Sequence, residues 1–327
     1  MDEIKPPYSG DALRFIIESP IQPRQPLIEN LIYEKTVLMT YADAGAGKSI
    51  ISLCACLQAA AGKSVFGFFE SVRPLKIYYI LGERDIDEPA ERMQLMKEAF
   101  DFNYDNIFID DELVGTDLLN KTNETALINR VEKYCPNPDI IVLDPIYCLI
   151  SGELSNPSQA TEFAKVSSRI QKKFKCSMWL NNHTVKTTTE IVNGKQVIKR
   201  DPFFGSQMLK AHITVSYHIV QKGNKTTFTK YKDSHGVGLE TFDLNFDQQT
   251  YALKFDYKGD NIPCHIKSEQ FITRIRNSIK TFNYEQYFNA IQPATHRYTQ
   301  KMLGVTIKKH SILNLSARFE DALYQIP

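Results

Sequence analysis

The feature that most constrains this fold is a short glycine-rich loop between an apolar segment and a helix-forming one. The loop ADAGAGKS, residues 42–49, follows the apolar run TVLMTYA and precedes KSIISLCACLQAAAG. Small residues let successive backbone N–H groups wrap around a phosphate, and the N-terminus of the following helix adds partial positive charge. The pattern therefore predicts a phosphate-binding loop, which requires a buried strand before it and a helix after it.

The roles of two side chains in this loop follow from the motif. In loops of this type the lysine bridges the β- and γ-phosphates of a nucleotide, and the next hydroxyl takes a place on Mg²⁺. Lys48 and Ser49 occupy these positions, so we predict that the chain binds ATP and Mg²⁺. Ala42 stands where the first glycine of the motif usually lies. The predicted nucleotide contacts are Ala42, Asp43, Ala44, Gly45, Ala46, Gly47, Lys48, Ser49 and Ile50.

Short apolar runs alternate with helix-like stretches around and after this loop. The runs, rich in β-branched and aromatic residues, span 36–42, 76–83, 106–110, 139–144 and 176–183. The helix-like stretches between them span 48–62, 87–100, 122–134 and 157–174. Strands that are apolar throughout must be covered on both faces, and alternation with helices is typical of parallel sheets. We predict a doubly wound α/β fold with a mostly parallel sheet.

The pattern changes on either side of this alternating region. Residues 213–232 and 241–257 look like hairpins, which predicts antiparallel strands at the C-terminal edge of the sheet. Residues 1–35 contain five prolines and are expected to form a lead-in strap. The main domain then covers 36–258. We interpret 265–327 as a small, mainly helical module, either a winged helix or a packing appendage.

Two carboxylates follow predicted strands in positions suited to nucleotide hydrolysis. Asp144 ends the run DIIVLD, where a carboxylate on a parallel strand can hold hydrated Mg²⁺. An alternative for this role is the acidic group in NIFIDDE, formed by Asp110, Asp111 and Glu112. Glu83 ends KIYYILGE, which we place on the strand next to the phosphate loop, and it can orient the attacking water as a general base.

A histidine closes the last apolar run of this region. His183 ends CSMWLNNH, and side chains at the carboxyl ends of parallel strands share the edge of the sheet where ligands bind. We predict that His183 senses the γ-phosphate, with a structural hydrogen-bonding role as the alternative.

The near-zero net charge conceals two oppositely charged segments. The whole chain has 39 basic and 38 acidic side chains. Residues 81–163 hold 18 acidic and 6 basic side chains, whereas residues 165–232 hold 14 basic and 2 acidic ones. The basic segment is typical of a protein that binds a sugar-phosphate backbone. A solvated lysine-rich surface is the alternative.

Several classes of protein are disfavoured by the sequence. No stretch approaches the roughly 18 apolar residues of a membrane helix, and the N-terminus MDEIKPPYSG has neither a basic nor an apolar signal region. The six cysteines include no C-x-x-C pair and mostly lie in apolar runs. We expect a reduced, cytoplasmic protein with no membrane partner.

The phosphate loop, Glu83, Asp144 and His183, in this order, resemble the RecA-like ATPases and especially the hexameric replicative helicases of the plasmid RepA and DnaB type. The resemblance covers roughly residues 20–257. It implies an ATP-driven motor on single-stranded DNA that forms a homo-oligomeric ring, in a bacterial, plasmid or phage context. The alternatives are a RecA-like recombination or annealing ATPase that forms filaments, and an ATP-dependent switch or loader.

The resemblance also implies roles for two basic groups. The family places a flexible DNA-binding loop where this chain has residues 184–204, which include the four cations Lys186, Lys195, Lys199 and Arg200. It also places a cationic finger, acting on the neighbouring subunit's nucleotide, where this chain has Lys230 and Lys232. Helicases of this type usually carry arginine there, and lysine lacks the bidentate fork of a guanidinium.

Overall fold

A computed structural model describes residues 9–19, 24–184, 189–192, 195–198, 205–234 and 239–256. Three of the predicted DNA-binding cations, Lys186, Lys199 and Arg200, lie outside these residues. The predicted C-terminal module, 265–327, lies outside them as well.

The described residues form six α-helices and thirteen strands. The helices are α1 Gly10–Glu18, α2 Lys48–Ala60, α3 Asp87–Ala99, α4 Lys121–Tyr134, α5 Pro157–Phe174 and α6 Gln207–His212. The first nine strands are β1 Pro26–Ile28, β2 Ile32–Tyr33, β3 Val37–Ala42, β4 Ile77–Leu81, β5 Ile107–Asp110, β6 Ile140–Asp144, β7 Ser177–His183, β8 Thr189–Val192 and β9 Lys195–Ile198. The last four are β10 Val215–Lys222, β11 Lys225–Asp233, β12 Thr241–Phe246 and β13 Leu253–Phe255.

Nine strands form one mixed sheet in the order β13-β12-β11-β10-β3-β7-β6-β4-β5. The six strands from β10 to β5 in this order pair in parallel, and β10 to β13 pair antiparallel. The predicted α/β fold with an antiparallel edge is therefore confirmed. The phosphate-loop strand β3 lies near the middle of the sheet, between β10 and β7.

Helices cover both faces of this sheet because its central strands are mostly apolar and almost entirely buried. Every residue of β3, β4 and β6 is buried. Successive side chains of a strand point to opposite faces, so β3 supplies Leu38 to the core beneath α2, and Met39 and Tyr41 to the core beneath α4, α5 and α6. The sheet thus holds its strand ends rigidly between two packed layers.

The strand order corrects the expected position of Glu83. The strand that precedes it, β4, is not next to β3, because β7 and β6 lie between them. The strand also ends at Leu81, so Glu83 lies on the loop that follows. The order of parallel strands depends on how the helices cross over the sheet, and a local apolar pattern does not encode it.

The N-terminal segment contains more structure than the predicted strap. It begins with α1 and continues with the β1–β2 hairpin. Four apolar side chains of the hairpin region join the core on the α2 face, namely Leu27, Ile28, Leu31 and Ile32. Residues 26–33 therefore pack into the main core.

A short helix before β10 was not expected, and the predicted DNA-binding loop contains a hairpin. The six-residue helix α6 precedes β10, and the β8–β9 hairpin lies inside the segment predicted as a flexible loop. Among the described helices, none combines the length and apolarity needed to cross a membrane. The five described cysteines are free thiols.

The packing of the β1–β2 hairpin leads to a stability prediction. Ile28 is 1 % exposed, so Ile28→Ala should lower the free energy of unfolding by about 2–5 kcal/mol, because it leaves a cavity in the core. Phe15 of α1 is 73 % exposed, and Phe15→Ala should change it by about 0.5 kcal/mol or less. Urea unfolding of the two variants measures the difference, and equal effects would contradict the placement of the hairpin in the core.

Candidate functional site

The loop between β3 and α2 has the backbone shape that a phosphate site requires. Gly45 and Gly47 adopt left-handed φ angles of 77° and 78°, which residues with a side chain rarely adopt. Gly47 is also the N-cap of α2, so no side chain at that position competes for the first amides of the helix. These amides and the helix dipole are available to an anion.

Lys48 lies at the centre of this loop. Its Nζ donates to the carbonyl oxygens of Ala42 and Asp43, each at 3.0 Å, and lies 3.2 Å from Nδ1 of His183. Burial lowers the pKa of Lys48 to about 8, although the nearby carboxylates, Asp144 foremost, favour its charged form. The loop therefore holds a poorly solvated ammonium group that an anionic ligand would stabilise.

A cleft lies beside the phosphate loop, and Ser49 and Asp144 both line it. Oγ of Ser49 donates to Oδ1 of Asp144 at 3.1 Å. Asp144 is 3 % exposed, and burial raises its pKa against hydrogen bonds from Tyr79, Asn181 and Ser49. A hydroxyl and a carboxylate are the hard oxygen ligands that Mg²⁺ takes beside nucleotide phosphates. The donor set fits a magnesium ion.

The alternative carboxylate, Asp110, is engaged elsewhere. It accepts two hydrogen bonds of 2.7 Å from the guanidinium of Arg130 on α4, and a third from the hydroxyl of Tyr78. It ends β5, the edge strand of the sheet, and does not line the cleft. Asp110 therefore serves as the buried partner of an ion pair that ties α4 to the sheet.

His183 and Glu83 lie at the rim of the cleft and share a neighbour. The ring of His183 lies 4.6 Å from that of Tyr147, measured between centroids. Burial first, then Cys148 and Glu83, raise the pKa of the Tyr147 hydroxyl. Burial first, and the charge of Lys48 second, lower the pKa of His183. Neutral His183 thus accepts a hydrogen bond from Lys48 at Nδ1. Tyr147 was missed from the sequence because it reads as part of an apolar stretch.

The far wall of the cleft carries two arginines that the sequence analysis also missed. Arg84 and Arg92 line the cleft, and both form ion pairs with Glu88 in the first part of α3. The spacing of four residues between Glu88 and Arg92 could have indicated part of this cluster, because such residues are neighbours on one helical face. Arg84 precedes α3 and had no such signal. The wall adds positive charge opposite Lys48.

The cleft gathers most of the predicted nucleotide contacts. Of the nine loop residues, Gly45, Gly47, Lys48, Ser49 and Ile50 line it, and so do Glu83, Asp144 and His183. Ala42 and Asp43 contribute carbonyl oxygens to Lys48, and the amide of Ala46 closes a turn onto Asp43 at 3.2 Å. Ala44 lies in the same turn.

The two lysines of the predicted cationic finger lie on β11, away from this cleft. Lys230 pairs with Asp233 at 2.9 Å and Glu240 at 2.8 Å. Nζ of Lys232 donates at 2.6 Å to the carbonyl of Lys210, near the end of α6. Both therefore make contacts within the chain, and a role at a neighbouring subunit's site stays a prediction. Lys195 lies in β9, and its predicted role in DNA binding also stays a prediction.

Comparisons with known proteins agree with this architecture. A family model described as "AAA domain" matches residues 9–189, more than half of the chain. One solved structure, described as an ATPase domain, is 11 % identical and aligns with a TM-score of 0.52, over 68 % of this chain and 85 % of that one.

A second solved structure, "The Structure Of A DnaB-Like Replicative Helicase And Its Interactions With Primase", is also 11 % identical. It aligns with a TM-score of 0.54 over 75 % of this chain and 66 % of that one. At this identity the likeness concerns the fold. A search of curated proteins finds no match.

The lowered pKa of Lys48 leads to a prediction for nucleotide binding. Its ordinary value of 10.5 falls to about 8, so the free protein loses this charge above pH 8, and binding of an anionic nucleotide must return the proton. The association constant for ATP should therefore fall as pH rises above 8, approaching about tenfold per pH unit.

Calorimetric titrations in buffers with different heats of ionisation measure the proton uptake. Lys48→Arg provides the control, because an arginine stays charged over this range, and its weaker binding should not depend on pH between about 8 and 10. An unchanged affinity of the native protein over the same range would contradict the prediction.

Proposed function

This chain belongs to the AAA domain family, and we propose that it is an ATP-driven motor on single-stranded DNA, a replicative helicase that assembles as a ring. The observation that carries the proposal is the position of His183. It touches Lys48 in the phosphate loop and ends the strand that leads directly into the predicted DNA-binding loop, residues 184–204. A residue in contact with the nucleotide site is thus followed closely along the chain by cationic side chains suited to a DNA backbone.

The residues of the cleft divide the work of nucleotide hydrolysis. Lys48 and the first amides of α2 bind the phosphates. Ser49 and Asp144 would hold Mg²⁺, which when bound neutralises phosphate charge. Glu83, exposed at the rim of the cleft, would orient a water molecule and take its proton.

A short connection supports coupling between nucleotide and DNA. The amide of Thr184 donates to the carbonyl of Ala42 at 3.1 Å, and its hydroxyl donates to the carboxylate of Asp43. The first residue of the predicted DNA-binding loop is therefore hydrogen-bonded to the phosphate loop. The β8–β9 hairpin begins at Thr189, five residues further along the chain.

Of the two finger lysines, Lys232 is the better candidate for action on a neighbouring subunit. Burial opposes the charge of Lys230, but its hydrogen bonds to Glu240 and Asp233 prevail and raise its pKa. Within the described part of the chain, the acceptors of Lys232 are backbone carbonyls, and burial, then Lys210, lower its pKa. A cation held by carbonyls gains more from a phosphate than one already in two ion pairs.

The first test measures ATP turnover with and without single-stranded DNA. DNA should stimulate turnover, and Glu83→Gln should lower the rate by about 10²- to 10⁴-fold while nucleotide binding persists, because only the general base is lost. Absence of any DNA effect on the native rate would contradict the motor and favour an ATP-dependent switch.

The DNA concentration that gives half-maximal stimulation, measured at two salt concentrations, tests the predicted DNA-binding loop, residues 184–204. Each backbone contact contributes about −0.7 to the slope of log affinity against log salt for single strands. Lys195→Ala should make the slope less steep by about that amount. Lys172→Ala is the matched control, because this lysine lies at the opposite end of the sheet, in the last turn of α5, and should leave the slope unchanged.

The second test asks whether Lys232 acts between subunits. Lys48→Ala and Lys232→Ala should each reduce hydrolysis by about 10³-fold or more, since a transition-state cation is worth that much. A mixture of the two variants should regain activity, because some interfaces then combine an intact loop with an intact Lys232. No regain would rule out action in trans. Electron microscopy of the same samples on DNA should show closed rings, whereas open filaments would favour the recombination alternative.

A further inference from the structure

A chain of buried hydrogen bonds crosses the sheet beneath α2 and ends on Asp144. Its members are Trp179, Thr40, Asn181, Ser52, Tyr79 and Asp144, each 3 % exposed or less. They lie on β3, β4, β6, β7 and α2, so both the sheet and the helix that follows the phosphate loop contribute. Buried polar groups are costly unless satisfied, and a continuous run of six needs an explanation beyond packing.

The protons of this chain all point the same way. The indole Nε1 of Trp179 donates at 2.9 Å to Oγ1 of Thr40, which donates to Oδ1 of Asn181. Nδ2 of Asn181 donates at 2.7 Å to Oγ of Ser52. Each of these hydroxyls and amides therefore accepts on one side and donates on the other.

The last two links fix the direction at Asp144. Oγ of Ser52 and the hydroxyl of Tyr79 lie 2.7 Å apart, and the same Tyr79 hydroxyl donates to Oδ2 of Asp144. Since Tyr79 has one proton and gives it to the carboxylate, only Ser52 can donate within the first pair. The carbonyl oxygens of Lys48 and Ser49, at 3.1 and 3.2 Å, are further acceptors of the same Ser52 hydroxyl.

We propose that Tyr79 is a positioning residue of the nucleotide site, which holds the Asp144 carboxylate toward Ser49 by occupying Oδ2, and that the hydrogen-bond chain behind it keeps Tyr79 in place. Ser49 binds Oδ1 of Asp144 and Tyr79 binds Oδ2, and Asn181 of the chain also hydrogen-bonds with the carboxylate. The carboxylate is therefore held on both oxygens and cannot rotate freely. Donors in such a head-to-tail series polarise one another, which strengthens the last bond. The inference rests on the proposed role of Asp144 as a Mg²⁺ ligand.

The neighbouring residue provides a matched control. Tyr78 lies on the same strand, is 1 % exposed like Tyr79, and also donates its hydroxyl to a buried carboxylate, that of Asp110. Its side chain points to the opposite face of the sheet, where Asp110 is paired with Arg130. Tyr78→Phe and Tyr79→Phe thus remove the same kind of bond, and only the second removes it from the cleft.

The test measures how much Mg²⁺ is needed for a nucleotide to stabilise the protein. The rise in melting temperature with a non-hydrolysable ATP analogue is recorded over a series of Mg²⁺ concentrations. Tyr79→Phe should raise the half-saturating Mg²⁺ concentration about tenfold, the usual effect of losing a group that orients a metal ligand. Tyr78→Phe should leave it within about twofold of the native value, even where both variants melt at lower temperature.

Native-like Mg²⁺ dependence of Tyr79→Phe, or an equal shift in both variants, would overturn the proposal. Should Tyr79→Phe fail to fold, Ser52→Ala removes the donor to Tyr79 without touching Asp144, and should shift the requirement in the same direction by a smaller factor. No shift in Ser52→Ala would then overturn it.

The outcome is separable from that of the proposed function. Mg²⁺-dependent stabilisation by nucleotide is measured without DNA or turnover. A native protein that binds the nucleotide but shows no response to DNA would refute the motor and leave the role of Tyr79 standing.

Discussion

The contact between the Lys48 ammonium and its three neighbours organises this molecule. Two of them are carbonyl oxygens of the strand end and loop, and the third is the imidazole of His183, which lies beside Ala42 in the register of β3 and β7. A buried ammonium is costly unless it is well satisfied. The three neighbours match its three N–H groups but carry no charge, and a phosphate would supply the negative charge that they lack.

The sheet explains why several residues of the site could be predicted from sequence. Strands that are apolar throughout are recognisable as buried and parallel, and the carboxyl ends of such strands meet at one edge. Asp144 and His183 both end such strands, so their arrival beside Lys48 follows from the apolar runs and the loop motif. In the sequence, the preference for Asp144 over Asp110 rests on the longer apolar run before Asp144. The position of Asp110 on the edge strand and its pairing with Arg130 of α4 have no local signal.

Other features had no local signal. The helix α6 has six residues, too few for a 3.6-residue period to be recognised. Tyr79 looks like any aromatic residue of a buried strand, and its role depends on the hydroxyl reaching Asp144 across the sheet. A weaker signal did exist in the polar residues Thr40 and Asn181, which interrupt otherwise apolar strands. Such residues must find partners inside the core, and here they find each other.

The sequence contains one tryptophan, and the fold places it at the far end of the hydrogen-bond chain that reaches Asp144. Its indole N–H donates to Thr40 in that chain, and its ring is 1 % exposed. The ultraviolet emission excited at the red edge of the protein's absorption therefore comes from one buried indole located behind the phosphate loop. The fluorescence of Trp179 is therefore an intrinsic probe of the hydrogen-bond chain that ends on Asp144.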